Sequence, residues 1–138
     1  DGSSAASDVY KRQKFYCEVL GCERGNAEFK YPDAWADINF WGNELTLHAT
    51  DPNQKSTSER HNVDMGNVTV PHFGVHLDAK TFKNLKQRLI DKNIKFIDPP
   101  YIRFKGEDIE QETMFLADPN GNCMEIKTMK NPNTLFKK

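Results

Sequence analysis

Little in this sequence is extreme, and the absences narrow the field. Charge of one sign is lacking: 19 Lys and Arg stand against 20 Asp and Glu, a net charge of −1 over 138 residues. A chain so balanced, with a pI near 6.5, has neither the basic footprint of a nucleic-acid binder nor a polybasic membrane anchor. No hydrophobic run approaches the length of a membrane span, and no secretory signal is legible. Cysteine is scarce. Cys17, Cys22 and Cys123 make an odd number with no CxxC pair, which argues against a disulfide framework and for free thiols in a reducing, cytoplasmic setting. What is left is one ordinary domain with enough chain for a real core.

Residues 1–7 have no apolar pattern, and residues 8–13 resemble the in-frame translation of a sequencing-library adapter. Residues 1–13 are therefore expected to be a non-native segment that stands in place of the native N-terminus, and such a segment carries no weight for the fold class. The spacing of Phe15, Tyr16, Val19 and Leu20 predicts a helix over 14–20 that stops at Gly21. A weak strand over 23–31 follows. Residues 34–41 alternate, Gly42-Asn43 reads as a hairpin turn, and 44–50 forms the return strand. Residues 51–69 are polar and without period, and read as a linker.

The second half repeats this order with one element more. Residues 70–78 read as a strand with His72, Gly74 and His76 on one face. Asp78 caps a helix whose Phe82, Leu85, Leu89 and Ile90 make an apolar stripe. A short strand over 94–97 ends at Pro99-Pro100, and a basic loop carries Arg103, Phe104 and Lys105. Two strands within 112–127 close the unit around Asp118-Pro119-Asn120-Gly121, a turn in which Gly supplies positive φ. Residues 130–138 form a polar tail with Leu135 and Phe136 as its apolar exceptions. The expected fold class is α+β: a first module over 14–50 lacking its opening strand, and a complete strand–helix–three-strand module over 70–129. Two such curled sheets side by side would enclose a cleft lined by their polar faces, the kind of concavity that ligands favour.

Glu125 stands in the middle of an otherwise apolar strand, where a carboxylate is costly to bury unpaired. His48 and His72 also fall on polar strand faces. Two imidazoles and a carboxylate suit non-haem iron, and with an added ligand they suit Zn, Ni or Mn. A histidine on a strand face is more often a hydrogen-bonded structural residue, and that reading is kept for His76. His61 lies in the linker and reads as solvated. Glu44 shares the face of His48 and is the fallback ligand there. Lys127 reads equally as an ion-pair partner of Glu125, and Arg103 and Lys105 as a solvated loop.

Three segments carry a resemblance: Lys14-Phe15-Tyr16-Cys17-Glu18-Val19-Leu20-Gly21, Val70-Pro71-His72-Phe73-Gly74-Val75, and 115–125 with its Asp-Pro-Asn-Gly turn. Together, over about 14–129, they resemble the vicinal oxygen chelate superfamily, which includes glyoxalase I, extradiol dioxygenases and the bleomycin and fosfomycin resistance proteins. The resemblance implies paired βαβββ modules, a divalent metal (Fe, Zn, Ni or Mn) held by His48, His72 and Glu125, and a homodimer. His72 matches the first strand of the second module and Glu125 its last. Counted from the turn glycine, Thr46 is the equivalent of Glu125, and His48 lies two residues further on the same face. A ligand on the opening strand of the first module has no counterpart. The basic loop is similar to that of a bacterial glyoxalase–dioxygenase-like branch, so Arg103 and Lys105 are expected to hold an anionic substrate, with Thr113, Phe115 and Lys127 as further substrate contacts. Glu125 is the expected catalytic group. Three activities stay open: an extradiol-type dioxygenation, a glyoxalase-type lyase or isomerase reaction, and sequestration of a small drug or metabolite without catalysis.

Overall fold

The structure is a computed structural model that describes residues 2–30, 32–49, 59–63 and 66–136. It divides into two compact units: residues 1–57 with the turn Asp118–Gly121, and residues 58–117 with 122–138.

In the first unit, helix α1 (Gly2–Lys14) runs into a π-helical turn (Phe15–Val19). The turn ends as the motif predicts: Gly21 takes φ 83°, and the Cys22 N–H reaches back to the Tyr16 carbonyl at 2.9 Å. Strands β1 (Glu23–Glu28), β2 (Trp35–Phe40) and β3 (Asn43–His48) form an antiparallel sheet in the order β1-β2-β3. Phe40 pairs with Asn43, so the hairpin turns on Trp41-Gly42, one residue earlier than expected, with φ of 49° and 90°. Positive φ at both positions suits the twist of the flanking strands. α1 packs on β2 and β3, and Val9, Tyr16, Ala36, Ile38, Phe40 and Leu47 are buried. The Tyr16 and Phe40 rings meet edge to face at 6.3 Å. The opposite sheet face carries Trp35, Asp37 and Asn39 of β2 beside His48, Thr46 and Glu44 of β3.

The second unit opens with a hairpin of β4 (Glu59–Val63) and β5 (Gly66–Val70), formed within the stretch read as linker. Pro71, which has no N–H to donate, interrupts the strand expected over 70–78. Strand β6 is therefore only Phe73–His76, and His72 sits just before it. Helix α2 (Ala79–Asp91) begins as expected, with the Asp78 carboxylate accepting the Thr81 N–H at 2.8 Å. It buries Phe82, Leu85 and Leu89, whereas Ile90 falls off the stripe at 48% exposure.

β7 (Asp98–Arg103), β8 (Gln111–Ala117) and β9 (Cys123–Met129) complete a sheet ordered β6-β9-β8-β7, in which β6 runs parallel to β9 and the other pairs are antiparallel. Pro99 and Pro100 lie inside β7 and do not end a preceding strand. Edge position and a register shift between Asp98 and Tyr101 make this tolerable, because edge N–H groups need no partner. The helix side of the sheet is apolar: Met114, Leu116, Met124 and Ile126 are fully buried. Strand–helix–three strands is the βαβββ module, and the first unit has the same order without an opening strand among its described residues.

Candidate functional site

The register of the second sheet decides which side chains share its other face. Phe115 lies opposite Glu125, Thr113 opposite Lys127, Gln111 opposite Met129, and Gly74 and His76 flank Glu125 and Lys127 from β6. β7 adds Tyr101 and Arg103 opposite Thr113 and Gln111. One face of four strands therefore gathers all the expected site residues of this unit except Lys105, which is exposed on the β7–β8 loop.

Glu125 is half-buried, and its Oε2 accepts the Thr113 hydroxyl at 2.8 Å. Thr113 has no exposure at all, so its one hydroxyl proton is committed to the carboxylate. The second carboxylate oxygen takes no hydrogen bond from the described residues. Behind Glu125, β6 comes unusually close: a Cβ built on Gly74 would strike the Glu125 carbonyl. Only glycine leaves room for that approach. The His72 ring meets Phe115 edge to face, centroids 5.3 Å apart, and Phe115, 1% exposed, packs with Cys123 and Ile97. His72 and Glu125 thus both border Phe115, one by ring contact and one by strand pairing. Arg103 places its guanidinium 4.9 Å from the centroid of the Phe104 ring, with Phe104 in the left-handed region at φ 53°. Lys127 makes no ion pair with Glu125.

His76 keeps the structural role read from its sequence context. Its Nε2 accepts the Met129 N–H at 3.2 Å, which requires that nitrogen to be unprotonated. Burial first, and the Lys127 ammonium second, lower its pKa, while Asp78 pulls it upward.

In the first unit His48 ends β3 with an exposed side chain, and its carbonyl accepts Arg12 Nη2 at 2.6 Å. On the same face Asp37 Oδ1 accepts the Thr46 hydroxyl at 2.8 Å. Each unit therefore has a carboxylate held by a threonine across the strands, and in the first unit the threonine stands at the position equivalent to Glu125. An open depression of about 360 Å³ is lined by Gly25, Asn26, Asp37, Asn39 and the fallback ligand Glu44 among others, but not by His48, His72 or Glu125. Burial raises the pKa of Cys17, and that of Cys22 is pushed up to about 12 by burial and then by Cys17. Both thiols are protonated at neutral pH and poor metal ligands.

Among the described residues no group of three His, Cys, Asp or Glu side chains lies close enough together to hold a metal ion. The second unit offers an imidazole and an oriented carboxylate on one face. That donor chemistry fits a divalent transition metal, with further ligands still required. The Thr113–Glu125 bond, the close approach at Gly74 and the Asp37–Thr46 pair were not legible in sequence, because each depends on which residues face each other across strands.

No family model matches the sequence, and no curated protein does. Solved structures do. The chain is 28% identical to a glyoxalase/bleomycin resistance protein/dioxygenase from Alicyclobacillus acidocaldarius, with a TM-score of 0.70 over 93% of this chain and 88% of that one. A domain of the same description from Frankia sp. EAN1pec aligns at 13% identity and a TM-score of 0.63, over 91% and 87% of the two chains. A glutamate-to-glutamine mutant of the fosfomycin resistance protein FosX from Listeria monocytogenes, solved with Mn(II) and 1S,2S-dihydroxypropylphosphonic acid, aligns at 12% identity and a TM-score of 0.62, over 92% and 88%. With the fold shared along nearly the whole chain and the sequence motifs on the elements that build it, this is a protein of the vicinal oxygen chelate fold.

Proposed function

We propose that the chain is a metal-dependent enzyme that acts on a small substrate carrying neighbouring oxygen atoms, most nearly in the manner of an extradiol dioxygenase. The observation that carries this reading is Glu125: a carboxylate on a strand of buried residues, oriented by Thr113 and sharing its face with His72. His72 and Glu125 are the ligands assigned to the second unit, and His48 is the candidate donor of the first. Two imidazoles and one carboxylate are the donor set of non-haem iron oxygenases, and with an added ligand the set suits Zn, Ni or Mn. The FosX mutant, which shares the fold, is complexed with Mn(II) and a dihydroxy compound, which supports a divalent metal and an oxygen-bearing ligand here.

A bound divalent ion would polarise the substrate oxygens as a Lewis acid. The chain's own part is to hold and shield. Glu125 offers one oxygen while Thr113 keeps the other. Arg103 and Lys105 balance the charge of a substrate bound as an enolate or carboxylate. Phe115 and Lys127 border the reacting groups. A glyoxalase-type reaction would instead use Glu125 as general base beside a carbonyl. The partner is a small molecule, and a homodimer is the proposed assembly. No described helix is long and apolar enough to cross a membrane.

Metal analysis of purified protein is the first test. The parent is expected to carry a divalent transition metal, and His72→Ala and Glu125→Gln to lose most of it while still folding. Full occupancy in both variants would place the metal elsewhere. No metal in the parent, with ligand binding unaffected by EDTA, would favour sequestration. Oxygen uptake with catechols, set against turnover of methylglyoxal with a thiol, then separates the two reactions.

A further inference from the structure

We infer that Thr113 is a positioning residue for Glu125 and makes no contact with substrate. It fixes which carboxylate oxygen is presented to a metal. This rests on the assignment of Glu125 as a ligand and deepens it. Thr113 is completely buried, so no substrate atom reaches its hydroxyl. That hydroxyl has one proton to give and gives it to Glu125 Oε2 at 2.8 Å. The contact is diagonal: Thr113 pairs with Lys127, while Glu125 faces Phe115 directly. A diagonal reach across an antiparallel pair draws the carboxylate along its strand toward Lys127, and a β-branched donor has few χ1 choices with which to follow any drift. On the other side, β6 pairs with β9 and sets Gly74 close against the Glu125 carbonyl, so the main chain there is held by its neighbour strand. Side chain and main chain are therefore each held from a different strand, β8 and β6. A carboxylate so held binds a metal through its remaining oxygen, with little ordering cost left for the moment of binding.

The test uses the whole chain and Mn²⁺ as the probe, with free Mn²⁺ counted by its electron paramagnetic resonance signal and folding followed by circular dichroism. Glu125→Gln should abolish binding. Thr113→Val, which keeps the shape and removes the donor, should weaken Mn²⁺ affinity about 10-fold or more. Thr113→Ser should restore it to within about 3-fold, because it returns the hydroxyl without the methyl group. If valine fails to fold at this buried position, Thr113→Ala against Thr113→Ser gives the same contrast. Parental affinity in Thr113→Val alongside loss in Glu125→Gln overturns the positioning role and leaves the ligand assignment standing. Parental affinity in Glu125→Gln, or no Mn²⁺ binding by the parent, removes the ligand assignment and this inference with it.

Discussion

Tyr16→Phe removes one oxygen atom and tests how the first unit is held together. The Tyr16 hydroxyl donates to Asp118 Oδ2 at 2.9 Å, between residues 1% and 5% exposed. It ties the π-helical turn to the Asp-Pro-Asn-Gly turn, 102 residues away in sequence. A hydrogen bond to a charged acceptor contributes about 1.5–3 kcal/mol, and at this burial the upper half of that range applies. Asp118 does not lose all support, since its Oδ1 still accepts the Asn120 N–H at 2.9 Å, which sets about 3 kcal/mol as the ceiling. With an unfolding entropy of about 2 cal/mol/K per residue, the melting midpoint should fall by roughly 8–11 °C. The same bond has a pH signature. Burial first, and then the Asp118 charge, raise the Tyr16 pKa well above that of a free phenol. The stability it contributes is complete below the unfolded value near 10 and is lost as pH rises beyond it. Urea denaturation at neutral pH and near pH 11 should show a large parent–variant gap at the first and a smaller one at the second. A variant as stable as its parent at neutral pH would refute the argument.

Three further outcomes are expected. Gly74→Ala must push β6 away from Glu125 and should destabilise by about 1–3 kcal/mol in chemical denaturation, with Mn²⁺ affinity falling as well; an unchanged midpoint would mean the strands part freely. His76 should make the fold acid-sensitive: its pKa is lowered in the folded state, so its contribution is complete above the unfolded value near 6.5 and is lost as pH falls, and His76→Gln should flatten this loss in melts recorded between pH 7.5 and 5. Leu89→Ala, at a site with no exposure, should cost about 2–5 kcal/mol by denaturant titration.

Much of the fold was legible because local rules governed it. The cap at Asp78, the glycine stops at Gly21 and Gly121 and the alternation of β2 all use signals within a few residues. The misplaced strands share a cause, which is that strand limits depend on neighbours. Pro99 and Pro100 read as a terminator, yet β7 continues through them because it lies at a sheet edge. Residues 51–69 read as linker, yet β4 and β5 form there by pairing with each other, a partnership that local composition does not announce. Within the site, Glu125 was legible as an acidic residue out of place. Thr113 was read as a substrate contact, and its burial and its bond to Glu125 argue for a supporting role instead. Neither the cross-strand diagonal nor the closeness at Gly74 leaves a mark on the one-dimensional pattern.

The order β6-β9-β8-β7 also fixes when the site comes into being. β9 has β6 on one side and β8 on the other, so β6 has no sheet partner until the strand roughly 50 residues after it has been made. The β8–β9 hairpin closes through a short turn and forms early; the parallel seam needs a far longer loop to close and waits for it. His72 and Glu125 become neighbours only with that seam. A nascent or partly unfolded chain would hold the two donors on separate pieces of structure. Capture of metal during refolding should therefore lag the hairpin and report the last long-range step of folding.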